Sequence, residues 1–117
     1  MERTLVLLKP DAIQRALAGS IIKRIEDKGL KIVGMKLMKV STNLAEKHYS
    51  EHVDRPFFEG LVKFITSSPI IAMAIEGPGA ITVIRNMMGI TDPQSAPSGT
   101  IRGDYGLEIG LNLVHGS

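Results

Sequence analysis

Extended and helical hydrophobic periods alternate along this chain, and their order restricts the fold more than any single residue does. Strand-like apolar runs occupy residues 4–8, 30–40, 70–75 and 111–114. In the second of these, Val33, Met35 and Leu37 share one face between lysines. Helical patterns fill the intervals. Lys9-Pro10 halts the first run, and Asp11 with Gln14 three residues on reads as a capping box for a short turn of helix. Ile21, Ile22 and Ile25 mark the apolar face of a helix that Gly29 can end. Asn43 and Glu46 bracket a helix start that carries the chain to about residue 52. Asp54 and Pro56 announce another helix, with Phe57, Phe58, Leu61 and Ile65 inward. Residues 79–88 form a further helix, closed by Gly89. From 90 to 110 periodicity is lost while glycine, proline and serine accumulate, and loops longer than roughly 12–15 residues are usually functional or disordered.

The order is therefore strand, helix, strand, helices, strand, helix, loop, strand. That is the βαββαβ pattern of an α+β, ferredoxin-like sandwich, which predicts a four-stranded, mainly antiparallel sheet with additional helices packed on it. At 117 residues the chain makes one domain, 1–117, large enough for a proper core, and 44% hydrophobic content is ordinary for a soluble globule. Such an architecture hosts many activities, so function has to be argued from side chains. A net charge of +2 is too small to argue for nucleic acid. Without cysteine, disulfides, thiolate chemistry and cysteine-based zinc sites are excluded. Met1-Glu2-Arg3-Thr4 leads directly into a strand with no signal-peptide pattern, and no apolar run approaches the roughly 20 residues that span a bilayer. The expectation is a cytoplasmic protein that does not enter membranes.

Several motifs fail on inspection. Neither a G-x-x-x-x-G-K-[ST] phosphate loop nor a G-x-G-x-x-G dinucleotide fingerprint is present. His48-Tyr49-Ser50-Glu51-His52 fits the H-x-x-E-H zinc pattern, with Glu51 as the base, but no third ligand follows it. Arg102-Gly103-Asp104 is the adhesion tripeptide without a secretion signal. An RNA-recognition module needs aromatic residues on its central strands, and the runs 4–8 and 70–75 contain none.

The residues that carry chemistry punctuate the ends of elements. Lys9 ends the first strand, Tyr49 and His52 sit on a helix near Phe57, and Arg85 lies in a last helical turn just before Thr91. Arg102 and Asn112 come from the long loop and its exit, and His115 closes the last apolar run, followed at once by Gly116 and Ser117. Neutral imidazole is a good nucleophile near physiological pH. A glycine beside it suggests a strand end that something bulky must approach. Arginine's planar fork matches phosphate oxygens. No paired carboxylates are present to cage a metal, so no protein metal site is expected. The inventory suits a magnesium polyphosphate arriving with its own ion.

In order and spacing these residues resemble the nucleoside diphosphate kinase family. The resemblance runs from Thr4-Leu5-Val6-Leu7-Leu8-Lys9-Pro10-Asp11 through Arg55-Pro56-Phe57-Phe58-Glu59-Gly60 and Gly99-Thr100-Ile101-Arg102-Gly103-Asp104 to Asn112-Leu113-Val114-His115-Gly116-Ser117. It implies ping-pong transfer of the γ-phosphate from one nucleoside triphosphate, ATP included, to another nucleoside diphosphate, with His115 phosphorylated on Nδ1. Lys9 and Asn112 would hold sugar hydroxyls, and Phe57 would stack on the base with Ile109 on its other face. Arg85, Thr91 and His52 would contact inner phosphates, Arg102 the transferred one, and Tyr49 would support Lys9 and the histidine. Such enzymes are homo-oligomers, usually tetramers or hexamers, in which the loop 90–110 serves both site and assembly.

Two features depart from the family pattern. The proline in Ala96-Pro97-Ser98-Gly99 sits one place early. Family members also continue past H-G-S into a helix whose glutamate orients the histidine, so the sequence reads as a domain lacking its C-terminal tail. The alternative functions are a nucleotide-binding protein impaired in catalysis and, more remotely, a zinc hydrolase.

Overall fold

A computed structural model describes residues 1–117. Its strands are β1 (Glu2–Leu8), β2 (Lys31–Met38), β3 (Ile70–Gly77) and β4 (Val114–Gly116). Its helices are α1 (Pro10–Gln14), α2 (Ala18–Asp27), α3 (Thr42–His48), α4 (Phe58–Ile65), α5 (Ala80–Met88) and α6 (Ile101–Tyr105), with a 3₁₀ turn over Ser50–His52. The sheet runs β2-β3-β1-β4 with every neighbouring pair antiparallel. This is the expected ferredoxin-like α+β arrangement.

Alternation along the strands divides the sheet into two faces. Val6 and Leu8 of β1, Met73 and Ile75 of β3 and Val114 of β4 turn to one side, where Ile21, Ile25, Ala80, Ile84 and Met88 complete a core of 14 buried residues. The other side carries a smaller cluster of Val40, Ala45, Val62, Ile65 and Ile70, against which Leu7, Tyr49 and Phe58 pack. An apolar cleft of about 210 Å³ stays open there, lined by Leu5, Leu7, Leu44, Ile65 and others, with His48 at its margin. Residue 115 lies opposite Leu7 and so belongs to this second face.

Where expectation and structure differ, local physics explains the difference. Asp11 does not cap α1. Lys9 holds the cap position without a side-chain bond, Pro10 opens the helix, and the Asp11 carboxylate turns instead to the Leu113 amide. Helix α3 is capped by Ser41, whose Oγ accepts from Leu44 N at 3.1 Å, and it stops at His48 rather than near residue 52. Phe57 precedes α4 and is 49% exposed, whereas Val62 and Ile65 fill the inward positions. Met35 and Leu37 do share a face with their partners Met73 and Ile71, but Val33 does not join them, because the register shifts between Ile32 and Gly34 and leaves it unpaired in a bulge; β2 is an edge strand, and all three are exposed. The last strand begins at Val114, because Leu113 takes a left-handed φ of 74° that no strand accommodates.

The region 90–110 is not a structureless loop. Thr100 Oγ1 accepts from Gly103 N and caps α6, and Asp104 reaches back to Gly99 N at 2.8 Å. A Cβ on Gly103 would lie 2.0 Å from the Pro97 carbonyl oxygen, so only glycine lets this turn close. The result is to bury Ile101 and Arg102 under the β4 segment.

Candidate active site

His115 occupies the middle of β4, half-buried, with its neighbours Val114 and Gly116 turned to the opposite face. Gly116 does admit a close approach, though from the protein itself. A Cβ there would meet Met88 Sδ at 3.1 Å and Ile84 Cγ2 at 3.2 Å, so the glycine lets β4 lie flat on α5. The His115 ring stands edge-on to His48, with centroids 5.4 Å apart and planes at 85°. Burial, and then the proximity of His48 and of the cations Lys9, Arg102 and Arg85, holds its pKa below the ordinary histidine value. The imidazole is therefore neutral at physiological pH and keeps a lone pair for attack.

The β1–α1 corner and α6 supply the surrounding cations. Lys9 Nζ donates to Asn112 Oδ1 at 2.8 Å, and Asn112 Nδ2 donates to the Thr91 carbonyl at 3.2 Å. Burial, reinforced by Arg102, lowers the Lys9 pKa to about 8, against a smaller opposing pull from Asp11. Arg102 is 7% exposed, and burial together with Arg85 lowers its pKa as well. Its guanidinium donates to three carbonyl oxygens: Asn112 at 3.1 Å, Gly89 at 3.0 Å and Val114 at 2.6 Å. Each Nη keeps a second N–H for an external acceptor. Beside it opens a cleft of about 460 Å³, lined by Arg85, Gly89, Thr91, Thr100 and Arg102 among others. His115 does not line that cleft; Arg102 joins the two through the Val114 carbonyl.

The helical side of the site is a row of rings. Tyr49 lies edge-on to His48 at 4.7 Å, and His52 is tilted against Phe57 at 5.4 Å. Because α3 ends at His48 and a 3₁₀ turn follows, His48 and His52 do not share one helical face. One meets His115 and the other Phe57, which removes the geometry that the zinc pattern requires. No three histidine, cysteine, aspartate or glutamate side chains gather anywhere as a metal cluster. The cationic donor set fits the phosphate side of a metal–polyphosphate rather than the ion.

The sequence model of the nucleoside diphosphate kinase family matches residues 2–117. The chain belongs to that family. A nucleoside diphosphate kinase of Gloeobacter violaceus is 58% identical over 117 residues, all of this chain and 78% of that protein. One from Haloarcula marismortui is 58% identical over 116 residues, 99% of this chain and 75% of that protein. Among solved structures, the halophilic nucleoside diphosphate kinase of Halobacterium salinarum in complex with CDP superposes with a TM-score of 0.97 at 57% identity, over 99% of this chain and 76% of that one. Nucleoside diphosphate kinases are phosphotransferases, and no helix here is long and apolar enough to cross a membrane.

Of the residues expected in a nucleoside diphosphate kinase site, Lys9, Thr91, Arg102 and Asn112 are linked by hydrogen bonds, and Arg85 shares the cleft with Thr91 and Arg102. Tyr49 makes no hydrogen bond to Lys9 or His115 and meets the latter by way of His48. Ile109 is 62% exposed in the turn before Leu111. Sequence reasoning gave His48 no part in the site. It was legible only as half of a zinc pattern, since nothing in the sequence says which ring meets β4.

Proposed function

We propose that this chain catalyses ping-pong phosphoryl transfer between nucleoside phosphates, ATP among the donors, through a phosphohistidine at His115. The observation that carries the reading is a half-buried imidazole at the centre of β4, next in sequence to the Val114 carbonyl that binds the buried Arg102 fork. The Nδ1 lone pair forms a bond to the γ-phosphorus while the bridging P–O bond breaks, its electrons leaving on the nucleoside diphosphate. A β-phosphate oxygen of a second diphosphate then attacks the phosphorus, and the N–P electrons return to the ring. The transition state spreads charge over equatorial oxygens, so cations and positioning do most of the catalysis.

In this reading Lys9 and Asn112 hold the sugar hydroxyls, and Phe57 and Ile109 take the two faces of the base. Arg85, Thr91 and His52 hold the inner phosphates, Arg102 the transferred group, and Tyr49 backs Lys9 and the histidine. Magnesium is ligated mainly by the nucleotide phosphates and neutralises their charge, which suits a site that offers cations and no carboxylate cage. The enzyme works in the cytoplasm as a single-domain homo-oligomer, a tetramer or hexamer, with the 90–110 region serving both site and assembly. Incubation with γ-labelled ATP tests the chemistry. The expected product is acid-labile, base-stable phosphate mapped to residue 115, and His115→Ala abolishes labelling and transfer while nucleotide affinity stays nearly unchanged. Labelling that persists in that variant places the nucleophile elsewhere and overturns the reading.

A further inference from the structure

The backbone that leads into His115 is held in a conformation its side chain disfavours. Leu113 has a φ of 74°, and it is fully buried. Residues other than glycine seldom sit in that left-handed region unless surrounding contacts determine it. Here both polar groups of Leu113 are tied to the corner where β1 turns into α1. Its carbonyl accepts from Lys9 N at 2.8 Å, and its N–H donates to Asp11 Oδ2 at 3.1 Å.

Asp11 has no other evident task. It is 3% exposed, it does not cap α1, and its second oxygen, Oδ1, is buried without a partner. Burial raises the carboxyl pKa, against the pull of its own amide, the Leu113 amide, Lys9 and Arg15. The turn is also closed locally by Val114 N on the Asn112 carbonyl at 2.8 Å, yet a buried carboxyl spent on one bond to this distant segment is a costly way to fill space, since an apolar side chain would avoid its desolvation. The two residues beside that turn carry chemistry. Asn112 meets Lys9, and His115 follows two positions on.

We infer that Asp11 is a positioning residue for phosphoryl transfer: its carboxylate holds the Leu113 amide in the left-handed turn and so sets the direction in which Asn112 and His115 leave it. This rests on the assignment of His115 as the phosphate carrier. Asp11 touches neither substrate nor the reacting ring.

The test is single-turnover phosphorylation by γ-labelled ATP, read as a rate constant so that partial folding lowers the amplitude and not the rate. Mapping the wild-type label to residue 115 first tests the underlying assignment separately. Asp11→Ala, and the space-filling Asp11→Leu should the alanine variant not fold, both remove the acceptor. Each slows phosphohistidine formation on the order of 100-fold, the scale of small misplacements at a reacting centre, with the half-saturating nucleotide concentration changed by less than about threefold. Asp11→Asn retains an oxygen acceptor and restores the rate to within about threefold of wild type. A folded acceptor-free variant with the wild-type rate overturns the inference. So does an asparagine variant as slow as those lacking the acceptor, because the charge rather than the held amide would then matter.

Discussion

The two walls of the candidate site hold their residues by different means. On the side built by β4, α6 and the β1–α1 corner, Lys9, Arg102 and Asn112 are fixed by hydrogen bonds of 2.6–3.2 Å, and Arg102 and Asn112 are buried. On the α3–α4 side, His48, Tyr49, His52 and Phe57 are related by ring contacts of 4.7–5.4 Å, and Phe57 is half exposed. The contrast matches what the proposed function asks of each wall. Stabilising a phosphoryl transition state requires donors already aimed before the charge moves. A platform for the base needs only an apolar face, because every base presents a π surface.

The sharpest way to break this comparison is to remove the buried fork. Arg102→Ala takes away the proposed phosphate ligand and also leaves the carbonyls of Gly89 and Val114 without their donor, while that of Asn112 keeps the Val114 amide. Each buried acceptor so orphaned costs on the order of 1–3 kcal/mol, less where water enters. Turnover is expected to fall roughly 100- to 1,000-fold, with nucleotide affinity falling less and the melting temperature clearly lower. Arg102→Lys recovers little of either, since one ammonium cannot reproduce the planar fork. Steady-state kinetics and thermal denaturation check both halves, and a variant that melts like wild type would show that this wall is not held by Arg102.

A second, smaller effect comes from pH. Burial and Arg102 hold Lys9 at about 8, against an ordinary 10.5, so the free protein loses this charge as pH rises through about 8. Between those values the unfolded chain binds more protons than the folded one, so this group's destabilising contribution is relieved as pH rises across the window. An anionic nucleotide favours the ammonium, and binding just above pH 8 should therefore take up a proton, with little uptake near neutrality. Calorimetry in buffers of different ionisation enthalpy reads the uptake, and Lys9→Met should remove it. Transfer should also decline on the alkaline side, by roughly 10-fold once a charge-assisted bond of about 1.5 kcal/mol is lost. Uptake that survives in Lys9→Met would assign the proton to another group.

The same contrast governs what the sequence discloses. Strands β1 and β3 and helix α5 follow from apolar runs of the right length and, for α5, from Gly89 with its φ of 84°. Lys9, Arg85, Arg102 and His115 are legible as chemical types at the ends of elements. What stays hidden is long-range. The Leu111–Leu113 run looks extended, but Leu113 sits at the centre of a tight turn closed by Val114 N on the Asn112 carbonyl and tied to Asp11, 102 positions away. Helix α6 turns only Ile101 and, in part, Tyr105 to the core, too few positions for periodicity to reveal it; Thr100 as its cap was the available signal. That the Arg102 fork holds three backbone carbonyls cannot be read locally, because its acceptors lie 10 to 13 residues away.

The smallest expected effect falls on the looser wall. Phe57 lies at the entrance to α4 rather than in the core, so Phe57→Ala exposes no buried cavity. Surface changes of this kind usually alter stability by within about 0.5 kcal/mol, and the melting curve should hardly move. Stacking on a base is worth about 1–3 kcal/mol, and a half-exposed ring belongs at the low end, which is roughly a fivefold loss of affinity. Because the interaction uses the π face, the loss should be alike for purine and pyrimidine diphosphates, whereas a hydrogen-bonding edge would discriminate among them. At saturating nucleotide, turnover should stay near wild type, since the ring touches no group whose charge changes in the transition state. Titrations with four nucleoside diphosphates, set beside kcat at saturation, make the decision. A fall in kcat as large as that of Arg102→Ala would erase the distinction between the two walls, and the aromatic side would have to be counted as pre-organised for chemistry as well.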